Sequence, residues 1–412
     1  MEESYAPYHT SYNPFSLLTA DLCFCRSQKD RSQKDMVGVN ASIIGEDPTG
    51  LGVYSMRLVR ELSHLRDDLV IYTSMPSALQ CTKAKIVRIP KDTRPEHSMR
   101  GHFSRLLWIQ TTLRLNARRD RITALVNPVP EGLVATRVPQ VTVIHDLLPL
   151  RFPAQYPRQK YYFKFFVPRV LRESAVVVAD SGSTRDDVLH FFQLPASRIR
   201  IVHAGCDSHV YFPNRTTTTA DDVPYCLYVG NLLPHKNLPV LIDAMAIVNR
   251  RARCRLIIRG AGRVDYRRLL QTRIQSLGLT DGVTFLGYMS ETTLRRLYQR
   301  AACLVLPSLG EGFGLPAIEA MACGTPVIVA DTTSLPEVVG DAALQVVPDD
   351  PMAWAAAVHR LLSDEELRQN MRRAGLIRAS AFSWKRTAEK ISQAIDDALT
   401  NHERPAVWSR KT

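Results

Sequence analysis

The amino-acid sequence predicts an α/β protein of two domains, each built around a parallel β-sheet. Short apolar runs that are typical of buried strands alternate with helical stretches along most of the chain, and this alternation favours parallel sheets. The chain of 412 residues is long enough for two to three domains. A polar, aperiodic segment at residues 213–224 is predicted to link a first domain at 36–212 to a second at 225–385.

The first domain is predicted to begin with a strand at Met36. The predicted strands cover residues 36–40, 69–73, 85–88, 124–127, 141–144, 175–180 and 199–202. A loop that contains Gly50 and Gly52 follows the first strand, and a helix is predicted from about residue 53 to 65. Residues 1–35, which repeat the pentad Arg-Ser-Gln-Lys-Asp in tandem, do not follow the domain pattern. We interpret them as a disordered extension, with Met36 as an alternative start.

Composition and charge limit the classes of function. No run of 18 or more apolar residues occurs, so no membrane-spanning segment is predicted. The eight cysteines lack metal-ligand spacing and several lie in apolar runs, which is typical of reduced core cysteines in a cytoplasmic protein. The net charge of +13 indicates an anionic partner, and no nucleic-acid-binding motif accompanies it.

The central stretch of the second domain is a strand–loop–helix–strand unit. Apolar runs at 303–306 and 327–330 flank a loop with Gly310, Gly312 and Gly314, and a helix follows with Pro316 in its first turn. We expect the glycines to take φ > 0 and to let a ligand approach the backbone closely. The unpaired N–H groups at the helix start favour an anion such as a phosphate.

Two carboxylates, Glu311 and Glu319, lie in the loop and in the predicted first turn of that helix. Carboxylates share the sign of a phosphate, so their natural partners are hydroxyl groups, as on a ribose or a hexose. Phosphate beside polyol indicates a nucleotide sugar. The alternative is a doubly wound domain in which both glutamates are merely solvated.

Glu311, seven residues and then Glu319, with Gly-Phe-Gly-Leu-Pro between them, resembles the signature of retaining nucleotide-sugar glycosyltransferases of family 4. This resemblance implies the GT-B fold, with two facing Rossmann-like domains. It places Glu311 near the donor sugar and Glu319 near the nucleotide ribose. It also implies that the intervening loop and helix start bind the donor, namely Gly310, Gly312, Phe313, Gly314 and Leu315.

The loop after the strand that ends at Gly230 resembles the phosphate loop of this family. Lys236 matches the lysine that meets the donor diphosphate, and it is predicted to stabilise the leaving group. Asn231 stands where many members have arginine, and His235 stands in the second basic position. One fixed positive charge is therefore missing or comes from elsewhere, and Arg259 is the first candidate, ahead of Arg263.

The first domain contributes further candidates. His145 follows a predicted strand in the sequence His-Asp-Leu, and the resemblance implies that it contacts the donor sugar near the reaction centre. We expect Asp146 to hold the loop or the imidazole, and Thr184 to cap the next helix. Gly52 lies in a glycine-rich loop that in the family faces the cleft.

The resemblance covers about residues 36–400. It also implies that residues 284–288 line the nucleotide base and that a C-terminal helix within 386–412 crosses back to the first domain, ahead of a tail. The predicted protein is a retaining, metal-independent enzyme without a cofactor. It would transfer a hexose from a nucleoside diphosphate, with GDP-mannose as the first donor, to a saccharide or lipid-linked acceptor in polysaccharide biosynthesis.

Two alternatives stay open at this point. One is a GT-B nucleotide-sugar 2-epimerase, and the other is a non-catalytic basic membrane-binding protein. Residues 100–121 and 156–172 mix basic with aromatic side chains, which suits peripheral contact with an anionic membrane at its inner face. A domain helix with solvated arginines would have the same composition.

Overall fold

The computed structural model describes residues 35–46, 48, 50–79, 83–214 and 223–402, with side chains up to residue 400. The predicted extension at 1–35, apart from Asp35, and most of the predicted linker lie outside the described residues. The described residues form two domains with parallel sheets of seven and six strands, so the predicted fold class is confirmed.

The first sheet has the strand order β3-β2-β1-β4-β5-β6-β7. Its strands are β1 (Met36–Asn40), β2 (Leu69–Thr73), β3 (Lys85–Arg88), β4 (Ile122–Asn127), β5 (Gln140–Ile144), β6 (Ser174–Ala179) and β7 (Ile199–Ile201). Its helices are α1 (Gly50–Leu65), α2 (Ser98–Trp108), α3 (Arg114–Arg119), α4 (Leu148–Arg151), α5 (Gln159–Tyr161), α6 (Val167–Glu173) and α7 (Gly182–Phe192). The central strands are buried on both faces, as parallel strands covered by helices must be.

The second sheet has the strand order β10-β9-β8-β11-β12-β13. Its strands are β8 (Tyr225–Val229), β9 (Arg255–Arg259), β10 (Val283–Leu286), β11 (Cys303–Leu306), β12 (Val327–Ala330) and β13 (Leu344–Val346). Its helices are α8 (Leu238–Val248), α9 (Val264–Ser276), α10 (Glu291–Arg300), α11 (Leu315–Ala322), α12 (Leu335–Val339), α13 (Pro351–Ser363) and α14 (Glu365–Ser380). In both sheets the order reverses beside the first strand, and ligands bind outside the carboxyl ends of strands at such switch points.

The last helix, α15 (Trp384–His402), packs on the first domain although it follows the second in the chain. Its buried residues recur every three or four positions, which places them on one face. At the edge of this contact, Arg66, the residue after α1, pairs with Asp396 at 2.7 Å, and Arg200 of β7 pairs with Asp397 at 2.5 Å. The chain therefore passes between the domains twice.

A buried ion pair holds the basic helix α2 on the first domain. Arg105 donates from Nε and Nη2 to the carboxylate of Glu131 at 2.5 and 2.8 Å, and from Nη1 to the carbonyl of Thr93 at 2.9 Å. Burial alone would raise the pKa of Glu131, but Arg105 and His102 outweigh it and lower this pKa to about 2. One arginine of the basic stretch is therefore internal.

Both basic stretches are helices interrupted by a π-helical turn, at Ile109–Leu113 and at Tyr162–Phe166. No helix in the described ranges combines the length and apolar character needed to span a bilayer. The described cysteines with free thiols are all buried, and three of them are neighbours in the second domain. Their sulfur atoms are 3.7 Å apart for Cys226 and Cys254, and 3.6 Å apart for Cys226 and Cys303.

Candidate active site

The site lies between the carboxyl edges of the two sheets, which approach each other closely. A Cβ atom added at Gly312 would lie 2.1 Å from the carbonyl oxygen of His145, and one added at Gly310 would lie 2.7 Å from the ring of Phe152. Only Gly314 of the three loop glycines has a positive φ, +103°, as the residue before α11. The prediction of φ > 0 is therefore wrong for Gly310 and Gly312. At these two positions, atoms of the first domain approach the backbone closely.

Lys236 and Glu311 form an ion pair in the cleft. The Nζ atom of Lys236 is 2.7 Å from Oε1 of Glu311, and the two side chains are only 12% and 16% exposed. Ser308 donates a hydrogen bond of 2.7 Å to the same oxygen, and the backbone N–H of Glu311 donates to Thr333 at 3.1 Å. Lys236 ends a short 3₁₀ turn, Pro234–Lys236. The structure thus brings together the two residues predicted to meet the diphosphate and the sugar.

Glu319 lies one turn inside α11, as its fifth residue rather than in the first turn. Its Oε2 accepts a hydrogen bond of 2.9 Å from the hydroxyl of Tyr298 in α10. Burial raises the pKa of Glu319 from 4.5 to about 7; Glu291 adds to the rise, and Tyr298 opposes it. Arg259 also lowers this pKa through its charge, so its guanidinium acts on the same part of the cleft.

Arg259 lies beside the loop that was predicted to bind phosphate. It pairs in register with Val229, and its carbonyl accepts a hydrogen bond of 3.0 Å from the N–H of Gly230. Its guanidinium lies 5.9 Å from the ring centroid of Tyr288, and its buried Nε has no partner among the described residues. Asn231 is exposed. Arg263, the weaker candidate, is exposed and paired with Asp265.

His235 carries no charge at neutral pH. Burial, aided by the charge of Lys236, lowers the pKa of His235 to about 4. Its ring stacks on Phe152 of the first domain, with centroids 5.2 Å apart, and its Nδ1 donates to Oε1 of Gln155 at 2.8 Å. His235 therefore does not supply the second positive charge of the phosphate loop, because the first domain covers it.

Both ring nitrogens of His145 are bound to acceptors of the protein. Nδ1 donates to Oδ2 of Asp180 at 2.5 Å, and Nε2 donates to the carbonyl of Pro128 at 2.8 Å. Burial lowers the pKa of His145, but Asp180 and Pro128 outweigh this and raise it. Asp146 holds the loop, by accepting from the N–H of Leu148 at 3.0 Å, whereas Asp180 holds the imidazole.

Three other predicted site residues lie at or just before the start of a helix. Gly52 belongs to the first turn of α1, which begins at Gly50, and not to a loop. The ring of Phe313 is buried against His203 and Phe382, with centroids 5.8 Å away in each case. Leu315 is the first residue of α11 and is partly buried.

The sequence analysis missed the partners of these residues. Asp180 follows β6 just as His145 follows β5, and these strands are neighbours, so their strand-end positions were a usable signal. Ser308, Tyr298 and Gln155 carry no motif of their own, and only the fold brings them to the site. Among the described residues, no group of three or more His, Cys, Asp or Glu side chains is placed to hold a metal ion.

Comparisons with known proteins identify the class of enzyme. The family profile described as Glycosyltransferase Family 4 matches residues 48–210, and the one described as Glycosyl transferases group 1 matches residues 214–378. O-antigen chain mannosyltransferase B of Escherichia coli is 29% identical over 366 residues, which cover 82% of this chain and 93% of that protein. O-antigen chain mannosyltransferase RfbU of Salmonella typhimurium is 29% identical over 78% of this chain and 90% of its own length.

Solved structures share the fold. Sucrose-phosphate synthase from Thermosynechococcus elongatus has a TM-score of 0.72 at 20% identity, over 89% of this chain and 100% of that chain. Anabaena HepE, in complex with UDP and glucose, has a TM-score of 0.69 at 18% identity, over 88% and 100% of the two chains. Two facing parallel-sheet domains with a site between their carboxyl edges define the GT-B class of enzymes. Together with the two family profiles, this places the chain among the GT-B glycosyltransferases.

Proposed function

We propose that this glycosyltransferase moves a hexose, with mannose as the first candidate, from a nucleoside diphosphate to a hydroxyl of a saccharide or lipid-linked acceptor, with retention at the anomeric carbon. The observation that carries the proposal is the ion pair between Lys236 and Glu311. Glu311 lies in the loop before α11, and Glu319 follows it eight residues later in that helix. GDP-mannose is the first donor because the O-antigen relatives named above are mannosyltransferases.

The leaving diphosphate needs positive charge, which three parts of the second domain would supply. Lys236 would exchange Glu311 for phosphate oxygens, and the N–H groups at the start of α11 would face the same anion. Arg259 would supply the positive charge that many family members obtain from an arginine at the position of Asn231. The guanidinium of Arg259 forms no ion pair with the described carboxylates, and its buried Nε has no hydrogen-bond partner among the described residues. The reaction would require no metal ion and no cofactor.

The exchange of partners at Lys236 also frees Glu311. Its carboxylate would then accept hydrogen bonds from the hexose hydroxyls, while Glu319 would accept them from the ribose. The acceptor's proton would pass to the leaving phosphate, so no side chain is assigned as a general base. His145 would act on the donor sugar only after one of its two ring hydrogen bonds opened.

A thermal-shift panel of GDP, UDP and ADP tests the site and identifies the base. We expect the transition temperature to rise with one of the three, and transfer from the corresponding nucleotide sugar to persist in excess EDTA. No shift with any nucleotide would contradict the proposal, and loss of transfer in EDTA would contradict metal independence. Consumption of nucleotide sugar without an acceptor would indicate a 2-epimerase instead.

We also propose that the first domain binds an anionic membrane peripherally. Helix α2 exposes Met99, Phe103 and Leu107 at every fourth position, hence on one face. The second basic stretch contacts α2 through the rings of Tyr162 and His102, and its exposed rings of Tyr161 and Phe165 stack with centroids 6.4 Å apart. We call the five exposed side chains the exposed apolar surface, and the stretches around them are rich in lysine and arginine.

Cosedimentation with vesicles tests this contact. We expect binding to vesicles that contain anionic lipid and release as the salt concentration rises. Phe103→Ser should weaken binding, whereas Ile377→Ser in α14 is a matched control, because the two side chains are 70% and 74% exposed. Equal binding to neutral vesicles, or equal binding by both variants, would contradict a role for this surface.

A further inference from the structure

The start of helix α7 in the first domain binds directly to the loop that carries Glu311 in the second. Ser181 precedes the helix, and its hydroxyl donates to the carbonyl of Gly312 at 2.7 Å. The hydroxyl of Thr184 lies 3.2 Å from the same carbonyl and 3.0 Å from the carbonyl of His145. The prediction that Thr184 caps this helix is wrong: Ser181 is the cap and accepts from the N–H of Thr184, while the hydroxyl of Thr184 is directed at the two carbonyls.

A carboxylate of the second domain reaches the same helix end. Oε2 of Glu337, in α12, accepts from the N–H of Gly182 at 2.7 Å, and Oε1 is 2.8 Å from Nε2 of His203. Burial raises the pKa of Glu337, but His203 and the N–H groups of Gly182 and Ser183 outweigh this and lower it. A negative charge is stabilised at the positive end of the helix dipole.

The lack of a side chain at Gly312 makes these contacts possible. Because a Cβ atom at this position would lie 2.1 Å from the carbonyl of His145, any larger residue would push the two loops apart. The hydroxyl of Ser334 lies 3.1 Å from the carbonyls of both Glu311 and Phe313 and donates between them, which ties the loop to the start of α12. The loop of Glu311, the loop of His145 and Glu337 therefore meet at one helix end.

We propose that Ser181, Thr184 and Glu337 are positioning residues that hold the two domains closed and set the place of Glu311 in the cleft. This inference rests on the proposed function, since it assigns the closed arrangement to the transferring state. Ser181 and Thr184 act through the carbonyl of Gly312, and Thr184 also through that of His145, whereas Glu337 acts through the N–H of Gly182 and through His203. The nucleotide residues Lys236, Arg259 and Glu319 belong to the second domain alone, so closure should affect transfer more than nucleotide binding.

Isosteric substitutions test this division. Thr184→Val removes the hydroxyl donor, Thr184→Ser restores it, and Glu337→Gln removes the charge while keeping one acceptor. Thr272→Val, on the exposed face of α9, and Glu365→Gln, on the surface of α14, are controls that make the same chemical change away from the domain contact. For Thr184→Val and Glu337→Gln we expect kcat for hexose transfer to fall about tenfold, as for one lost hydrogen bond of ordinary strength.

Two readouts separate positioning from general damage. The dissociation constant of the nucleoside diphosphate that stabilises the parent should stay within about twofold, because the second domain binds it. Small-angle scattering should show a larger radius of gyration for Thr184→Val than for the parent, for Thr184→Ser and for both controls.

Parent values of kcat and of the radius of gyration in both Thr184→Val and Glu337→Gln would overturn the inference. A parallel loss of nucleotide affinity and unfolding temperature would also overturn it, because the residues would then be merely structural. A parent protein that transfers no hexose would refute the proposed function, while the scattering comparison would still decide whether these contacts close the domains.

Discussion

Replacing Glu319 with glutamine should change how the stability of the fold depends on pH. Burial raises the pKa of this carboxyl from 4.5 to about 7 in the folded protein, so the folded state keeps a proton that the unfolded chain has lost. The contribution of Glu319 to stability is therefore fully present below pH 4.5 and is lost as the pH rises to about 7. Glutamine stays neutral throughout and keeps an acceptor for Tyr298.

The size of the effect follows from the two pKa values. The difference between 4.5 and about 7 is about 2.5 units, and at 1.36 kcal/mol per unit it amounts to about 3 kcal/mol. The free energy of unfolding of Glu319→Gln, relative to that of the parent, should therefore rise by about 3 kcal/mol between about pH 4.5 and pH 8. The same variant should bind nucleoside diphosphate more weakly, since it loses the charged acceptor for the ribose.

Urea unfolding of parent and variant at several pH values between these limits measures the change. Comparing the two proteins cancels the titration of all groups that they share. Glu365→Gln is the control, because Gln369 and Arg368 lower the pKa of that exposed carboxyl and its contribution changes only as the pH falls toward that pKa. Parallel stability profiles for Glu319→Gln and the parent would refute the reasoning, since they would mean that Glu319 ionises normally in the folded protein.

Three other expectations concern the ion pairs of the structure. Lys236→Ala should lower kcat for transfer by about 10²–10³, as for one preorganised charge donor, and steady-state kinetics with turnover within a few-fold of the parent would contradict it. Glu311→Gln should leave the affinity for the bare nucleoside diphosphate, measured by calorimetry, nearly unchanged while transfer falls. If it weakened nucleotide binding as much as Glu319→Gln does, the assignment of Glu311 to the hexose and Glu319 to the ribose would be wrong. Glu131→Gln should lower the free energy of unfolding in urea by about 3–5 kcal/mol, because it leaves Arg105 buried without a counter-charge. Removal of the more exposed Asp243–Arg273 pair is the control and should lower it by at most about 1 kcal/mol.

The strands and the central motif were predictable because the signals for them are local. An apolar run of four to six residues bounded by glycine or proline indicates a buried strand, whatever its position in the sheet. The strand at Cys303–Leu306, for example, was predicted with its observed bounds. The spacing of Glu311 and Glu319 around a glycine-rich loop is likewise a property of one continuous segment. The boundary of α1 was less predictable, because Gly50 and Gly52 disfavour a helix that the fold nevertheless begins there.

The sequence by itself therefore determined the α/β class, the division into two domains and the segment that carries the two glutamates. Only the tertiary structure decided the electrostatic state of the site. His235 is neutral because Phe152 and Gln155 of the other domain cover it, and the pKa of His145 is raised because Asp180 lies at the end of the next strand. Gly312 must be small because the backbone at His145 lies against it. Each of these facts depends on burial and on contacts between residues far apart in the chain, and no local pattern encodes them.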